Sequence, residues 1–191
     1  MALRRRRVIS VCVFLAAAAG LASAFAADEA KPALRVSIAV PANNGRRAII
    51  LNRPDSHFHV VVTNVSDKPV RLWREWCSWG YFNLTFKVTD GAGEEFVAKK
   101  TQHEWTKNYP DFQDLAPGES YVIDVYPHRD WKDFPLPANG KEMKLKLAAV
   151  YEIHPDDQSK QSNVWTGRVE SDPIDVTVYN WGIDLPRKEG K

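Results

Sequence analysis

The chain has 191 residues, of which 26 are Lys or Arg and 24 are Asp or Glu. The first 26 residues contain four arginines and no acidic residue, so the rest of the chain has 22 basic and 24 acidic residues and a net charge of −2. Such a mixed surface gives no electrostatic basis for binding nucleic acid. The whole chain is 44% hydrophobic, and the 165 residues after position 26 are enough for one domain with a buried core.

Residues 1–26 have the pattern of a signal peptide. Four consecutive arginines at residues 4–7 precede an apolar segment at residues 8–21, and small residues allow cleavage after Ala24 or Ala26. The apolar segment is shorter than the ~20 residues that a membrane-spanning helix needs. We therefore expect a secreted or periplasmic bacterial protein with no integral membrane segment after cleavage.

Residues 33–180 are predicted to form a single domain of short strands. A polar lead-in at residues 27–32 precedes the domain, and a polar tail at residues 181–191 follows it. Apolar and polar residues alternate with a period of two, which is typical of strands with one buried face. The alternating segments are residues 34–40, 48–51, 57–63, 70–72, 84–89, 95–99, 121–125, 145–153, 164–170 and 174–178.

Turn signals separate these segments. Residues 64–69, Asn-Val-Ser-Asp-Lys-Pro, combine side chains that bond their own backbone with a proline that fixes φ. Pro117-Gly118 is the signature of a type II turn, in which glycine takes a positive φ at low cost. The pattern predicts an all-β fold, an antiparallel immunoglobulin-like β-sandwich of about seven to nine strands, with a closed barrel as the alternative.

Three of these segments also carry a family resemblance. Residues 61–70 (VVTNVSDKPV), Asp90-Gly91 and residues 115–120 (LAPGES) together resemble the immunoglobulin-like domain of bacterial intracellular proteinase inhibitors. Residues 165–178 are similar to the ending of small, mostly uncharacterised sandwiches of exported bacterial proteins. The resemblance implies a sandwich fold and an inhibitor-like interaction with another protein.

Aromatic residues supply the candidate binding surface. Residues 73–82 hold five aromatics, and more lie in the two longest predicted loops, at residues 100–114 and 127–140. Exposed rings could stack on sugars or form a protein hot spot, whereas buried rings would fill the ends of the core. The candidate residues are Trp73, Arg74, Trp76, Trp79, Tyr81, Trp105, Tyr109 and Trp131.

His57 and His59 would present two imidazoles on one strand face, a spacing that metal sites use. A site needs a further ligand, and no spacing connects the pair to the available residues, which are His103, Glu104, His128 and His154. The sequence therefore favours two solvent-facing histidines, and we expect neither a metal nor another cofactor. A metal-binding periplasmic protein is a remote alternative.

The sequence contains no Gly-x-Ser-x-Gly elbow, no His-Glu-x-x-His motif and no phosphate-binding glycine loop. Cys77 is the only cysteine after residue 26, so no disulfide can form within the exported part. Its tryptophan neighbours favour a buried, inert thiol. We predict a non-enzymatic binding protein, with another protein as its partner and a glycan as the alternative. A protein partner would add a strand to a sheet edge or insert a loop into a groove.

Overall fold

Strands dominate the computed structural model, which describes residues 32–43, 45–51 and 56–182. The predicted signal peptide, residues 27–31 of the lead-in and residues 183–191 of the tail lie outside the described residues. The described residues form thirteen strands and two short helices, so the fold is all-β as predicted.

The strands are β1 (Leu34–Ala39), β2 (Ala42–Asn43), β3 (Arg46–Leu51), β4 (Phe58–Asn64), β5 (Val70–Trp73), β6 (Leu84–Asp90), β7 (Glu95–Lys100), β8 (Phe112–Leu115), β9 (Ser120–Val125), β10 (Trp131–Lys132), β11 (Lys141–Ile153), β12 (Gly167–Glu170) and β13 (Ile174–Asn180). The helices are α1 (Ser78–Tyr81) and α2 (Asp157–Gln161). No helix in the described part of the chain is long and apolar enough to cross a bilayer.

The strands form three sheets. One has the order β1-β4-β9, a second pairs β5 with β8, and the largest runs β10-β7-β6-β11-β13-β3-β2, with β12 paired to β11. All strand pairs in the described residues are antiparallel except β13 with β3, which is parallel. That pair departs from the purely antiparallel pattern expected from the sequence.

The alternation of buried and exposed side chains along the strands shows which faces of the sheets form the core. In β4, Phe58, Val60 and Val62 are fully buried, whereas the residues between them face outward and are partly exposed. The Phe58 ring lies 5.6 Å from the ring of Phe86 on β6, so the three-stranded and largest sheets share one hydrophobic core. The β4 pattern that the sequence predicted is confirmed, and it decides which side chains of this strand reach solvent.

Asn64 ends β4 and organises the turn that follows. Its side chain is fully buried and donates to the carbonyl oxygens of Lys68 (2.7 Å) and Leu115 (2.9 Å). It also accepts a hydrogen bond from the Ser66 amide. Gly118 adopts φ +83°, as a type II turn requires, and its amide donates to the Asn64 carbonyl. The turn chemistry predicted from the sequence is confirmed.

The two predicted long loops contain structure that alternation did not indicate. Residues 100–114 include the start of β8, and residues 127–140 include β10. Within the aromatic-rich residues 73–82, Ser78–Tyr81 form the single-turn helix α1. These elements are short, and β8 and β10 are each held by a distant strand, so the local pattern carries little signal.

Candidate functional site

Three of the eight candidate binding residues belong to the hydrophobic core or pack against it. Trp73 and Trp131 are only 2% and 6% exposed and belong to the hydrophobic core. Trp79 is half-buried against that core, with its ring centroid 5.9 Å from that of Trp73. The structure thus places these three rings where aromatic side chains stabilise the fold through their large buried area.

Two other candidates stand out from the surface. Trp76 is 62% exposed and Tyr109 is 75% exposed. The indole N–H of Trp76 donates to Asp111 Oδ2 at 2.8 Å, and the Arg74 guanidinium lies 5.9 Å from the Trp76 ring centroid. Phe112, which directly follows Asp111 in the chain, is 38% exposed. We call Arg74, Trp76, Tyr109, Asp111 and Phe112 the Trp76 surface.

Backbone contacts hold the Trp76 surface in place. The Arg74 amide donates to the Asp111 carbonyl (3.0 Å), and the Ser78 amide donates to the side chain of Asn108 (3.0 Å). Cys77 is buried, as predicted, and its thiol donates to the Arg74 carbonyl. Segments 74–78 and 108–112 are therefore bonded to each other, which restricts the motion of the rings they carry.

A cleft of about 240 Å³ lies beside the Trp76 surface. Five aromatic rings line it, from Trp76, Tyr81, His103, Trp105 and Tyr126. The charged groups that line it are Glu75, Lys100, Asp124, Arg129 and Asp130. Hydrophobic rings with a few convergent polar groups are the usual lining of a ligand site. We call this pocket the aromatic cleft.

A larger groove of about 490 Å³ crosses the largest sheet near Arg46 and Lys144. No aromatic side chain lines it. Its walls come mainly from charged residues and threonines, which water solvates well in an open groove. We therefore take the smaller aromatic cleft as the better candidate site.

One wall of the aromatic cleft is an interlocked set of rings. The Trp105 ring centroid is 4.5 Å from that of His103 and 5.7 Å from that of Tyr81, and both contacts are edge-to-face. Edge-to-face packing is the favoured arrangement of aromatic pairs. Trp105 and Tyr81, both candidates from the sequence, are thus brought together across about 25 positions of sequence.

A partly buried ion pair supports this wall. Lys100 donates to Glu75 Oε2 at 2.9 Å, and the two side chains are 6% and 24% exposed. The Lys100 ammonium also lies 4.4 Å from the centroid of the Tyr81 ring, within range of a cation–π attraction. Burial raises the pKa of the Tyr81 hydroxyl above its ordinary value of 10.0.

A second cation, Arg129, also lines the cleft. Arg129 donates two hydrogen bonds to the Asp130 carboxylate, at 2.7 and 2.8 Å, and these bonds raise the pKa of Arg129. Its guanidinium carbon lies 3.9 Å from the Tyr126 ring centroid. The guanidinium is therefore oriented by an aromatic face and a carboxylate before any ligand arrives.

The histidine pair lies next to the aromatic cleft and has a carboxylate neighbour. His59 Nδ1 donates to Asp124 Oδ1 at 2.8 Å, and the rings of His57 and His59 are 5.0 Å apart. Potential donor atoms of His57, His59 and Asp124 all lie within 4.8 Å of one another. Asp124 is thus the third potential ligand, which the sequence did not indicate. The residues considered from the sequence, His103, Glu104, His128 and His154, do not belong to this cluster.

Asp124 could be placed on the outward face of its strand from the sequence, because Tyr121, Ile123 and Val125 alternate around it. Its distance from His59 could not be predicted. The two are 65 positions apart in the chain, and only the register of β9 on β4 sets them opposite each other. Side-chain alternation shows which face of a sheet a residue occupies. Predicting which residues lie opposite each other also requires the register between the two strands.

Comparison with known proteins assigns no function to these residues. No protein-family model matches the sequence, and no curated protein matches it. The Trp76 surface, the aromatic cleft and the histidine cluster are therefore interpreted from their geometry and chemistry alone.

Proposed function

We propose that the chain is an exported, non-enzymatic binding protein with an immunoglobulin-like β-sandwich fold, and that it binds another protein through the Trp76 surface. Two sheets that share a core support the sandwich, and so does the turn chemistry that resembles the inhibitor domains. The signal-peptide pattern of residues 1–26 supports export.

The observation that carries the proposal is an exposed tryptophan held by a hydrogen bond. Trp, Tyr and Arg are the residues most enriched in protein hot spots, and all three types occur in the Trp76 surface. The bond from Trp76 to Asp111 fixes the ring before binding, so little side-chain entropy is lost in a complex. A rigid aromatic anchor of this kind suits protein recognition.

A protease panel tests the inhibitor-like form of this proposal. Secreted serine and cysteine proteases are incubated with the purified protein, and residual activity gives an apparent Kd. We expect inhibition of at least one protease, and Trp76→Ala should weaken it about 30-fold, which corresponds to the loss of about 2 kcal/mol expected of a hot-spot residue. Trp181→Ala is the matched control, because Trp181 is 59% exposed elsewhere on the surface.

Site-directed crosslinking covers partners that are not proteases. A photoreactive phenylalanine analogue replaces Tyr109 or, as a control, the exposed Val97 of β7. Irradiation in the cell-envelope fraction of the source organism should give a discrete adduct from position 109 only. The absence of any such adduct, together with uniform failure to inhibit proteases, would rule out the proposal.

The aromatic cleft favours a second candidate function, carbohydrate binding. Its volume is below the roughly 300–1,000 Å³ of drug-sized sites, so it would hold one sugar residue. The Arg129 and Asp130 side chains would hydrogen-bond hydroxyl groups, and the Trp105 ring would contact the sugar. Two variants separate the candidates in a glycan-array experiment and the protease panel. Trp105→Ala should abolish glycan binding, whereas Tyr109→Ala should weaken only protein binding.

A further inference from the structure

We propose that His57, His59 and Asp124 bind a divalent transition-metal ion of the zinc type at the edge of the aromatic cleft. The proposal does not depend on the proposed function. It rests on the side-chain cluster described above, in which two imidazoles and one carboxylate converge at the outer face of the three-stranded sheet.

Strand geometry creates the cluster. His57 directly precedes β4 and His59 is the second residue of that strand, so the extended chain brings both side chains, two positions apart, to the same face of the sheet. The backbone register pairs His59 with Asp124 on β9 and with Ala39 on β1. Directly opposed residues bring their Cβ atoms within about 4.5–5.5 Å, and the small Ala39 leaves space on the other side of the ring.

The distances fit coordination after a small adjustment. Zinc–nitrogen and zinc–oxygen bonds of about 2.0–2.1 Å in a tetrahedron separate neighbouring donor atoms by roughly 3.3 Å. The donor atoms here lie within 4.8 Å of one another, so the largest closure needed is about 1.5 Å. The His59 and Asp124 side chains are 37% and 49% exposed, so rotation about their side-chain bonds can supply this movement without repacking the core.

The donor types define the class of metal. Imidazole nitrogen suits zinc, copper and nickel, and a carboxylate oxygen completes a set that zinc commonly uses. Calcium and magnesium prefer sets made only of oxygen ligands, so they fit poorly. Three protein ligands leave one tetrahedral position open, as in zinc sites that bind an exchangeable water or substrate.

The open position would lie next to the aromatic cleft. Asp124 and Tyr126 both line the cleft, and the His57 ring centroid is 5.0 Å from that of Tyr126. A ligand in the cleft that carries a carboxylate, imidazole or hydroxyl group could therefore complete the coordination of the metal. This arrangement would give the metal site a role in ligand binding.

Zinc titration of the purified, chelator-treated protein tests the site. Competition with a chromophoric zinc indicator gives the affinity, and elemental analysis after dialysis gives the stoichiometry. We expect one zinc ion per chain. Each of His57→Ala, His59→Ala and Asp124→Asn should lower the affinity by at least about 10- to 100-fold, the loss reported even for groups that only support a ligand.

The chain offers a matched control. His154 Nδ1 lies 3.6 Å from Glu152 Oε1, so the two form a histidine–carboxylate pair without a second imidazole. His154→Ala should leave zinc affinity unchanged. Thermal unfolding of each variant without metal should stay close to that of the wild type, because the altered side chains are at least partly exposed and an exposed ion pair such as His59–Asp124 contributes about 1 kcal/mol or less.

Cobalt(II) substitution reports the ligand types. The cobalt complex should show visible d–d bands and no thiolate charge-transfer band. The presence of a thiolate band would instead indicate that cobalt binds at Cys77. Absence of stoichiometric zinc binding, a thiolate band, or equal affinity in the wild type and the three cluster variants would each overturn the proposal. So would loss of affinity in His154→Ala as large as that in His59→Ala.

Discussion

Replacing Glu75 with Gln should destabilise the protein by about 3 kcal/mol, because the largely buried Lys100 side chain would lose its carboxylate partner. The Lys100 ammonium of this pair lies 4.4 Å from the centroid of the Tyr81 ring, which lines the aromatic cleft. The prediction therefore tests whether the cleft is built on a charged support.

The magnitude follows from the distance and the burial. At 2.9 Å and an effective dielectric constant of about 20, the attraction between the two charges is about 6 kcal/mol. Desolvation of both ions offsets most of that attraction, and breaking a buried pair typically costs about 3–5 kcal/mol. Glu75 is less buried than Lys100, which places the expected cost at the lower end of that range.

A double-mutant cycle separates the pair from the individual side chains. Lys100→Met should cost less than Glu75→Gln, since the exposed part of the Glu75 carboxylate can still be hydrated. The double variant should lie within about 1 kcal/mol of the wild type, because hydrophobic or neutral replacements of a buried pair are often tolerated. The coupling energy should then be about 3 kcal/mol.

Urea denaturation with a constant m value measures each free energy of unfolding. Glu170→Gln is the control, because Glu170 bonds the exposed Lys87 at 2.7 Å and a surface pair contributes about 1 kcal/mol or less. If Glu75→Gln costs no more than Glu170→Gln, then Lys100 reaches water and the pair does not support the cleft.

Three further predictions concern the scaffold around the sites. Asn64→Ala should lower the free energy of unfolding in urea by about 2–4 kcal/mol, because two backbone carbonyls lose their donor. Burial raises the pKa of Tyr121 to about 12 from an ordinary 10.0, so above pH 10 the unfolded state loses this proton first. Stability present below pH 10 should therefore fall by up to about 3 kcal/mol as pH rises to 12, and Tyr121→Phe should remove this part of the decrease in alkaline denaturation curves. Gly80→Ala should lower the thermal midpoint and cost about 1–3 kcal/mol or more, because a Cβ there would lie 1.9 Å from the Arg74 carbonyl oxygen. Gly91→Ala, whose Cβ would meet nothing closer than 3.9 Å, should change stability by less than about 0.5 kcal/mol.

Local features of this protein were predictable from its sequence to the extent that local physics determines them. The alternation in β4 and β9 identified which residues face the core, and the Asn64 turn and Gly118 had recognisable chemistry. The short strands β8 and β10 were missed, because pairing with distant strands forms them rather than their own pattern. Residue propensity and side-chain alternation do not show which distant strand a segment will pair with.

The exposure of the tryptophans required the three-dimensional arrangement for the same reason. Trp73 lies at the end of β5 and is buried, whereas Trp76, three positions later, lies in a turn and its indole N–H donates to Asp111. Sequence alone gave both rings equal standing as binding residues. The contact between segments 74–78 and 108–112 is what divides the aromatic run into core and surface.

The candidate sites meet in one place because three distant segments end there. The aromatic cleft receives Trp76 from the segment after β5, Trp105 from the segment after β7, and Asp124 from β9. Trp76 belongs to the proposed protein-binding surface and Asp124 to the proposed metal site. A partner side chain that entered the cleft would therefore contact both, and bound zinc should strengthen that contact if the side chain carries a carboxylate. Measuring partner affinity with and without zinc, in the wild type and in His59→Ala, would show whether the two sites act together.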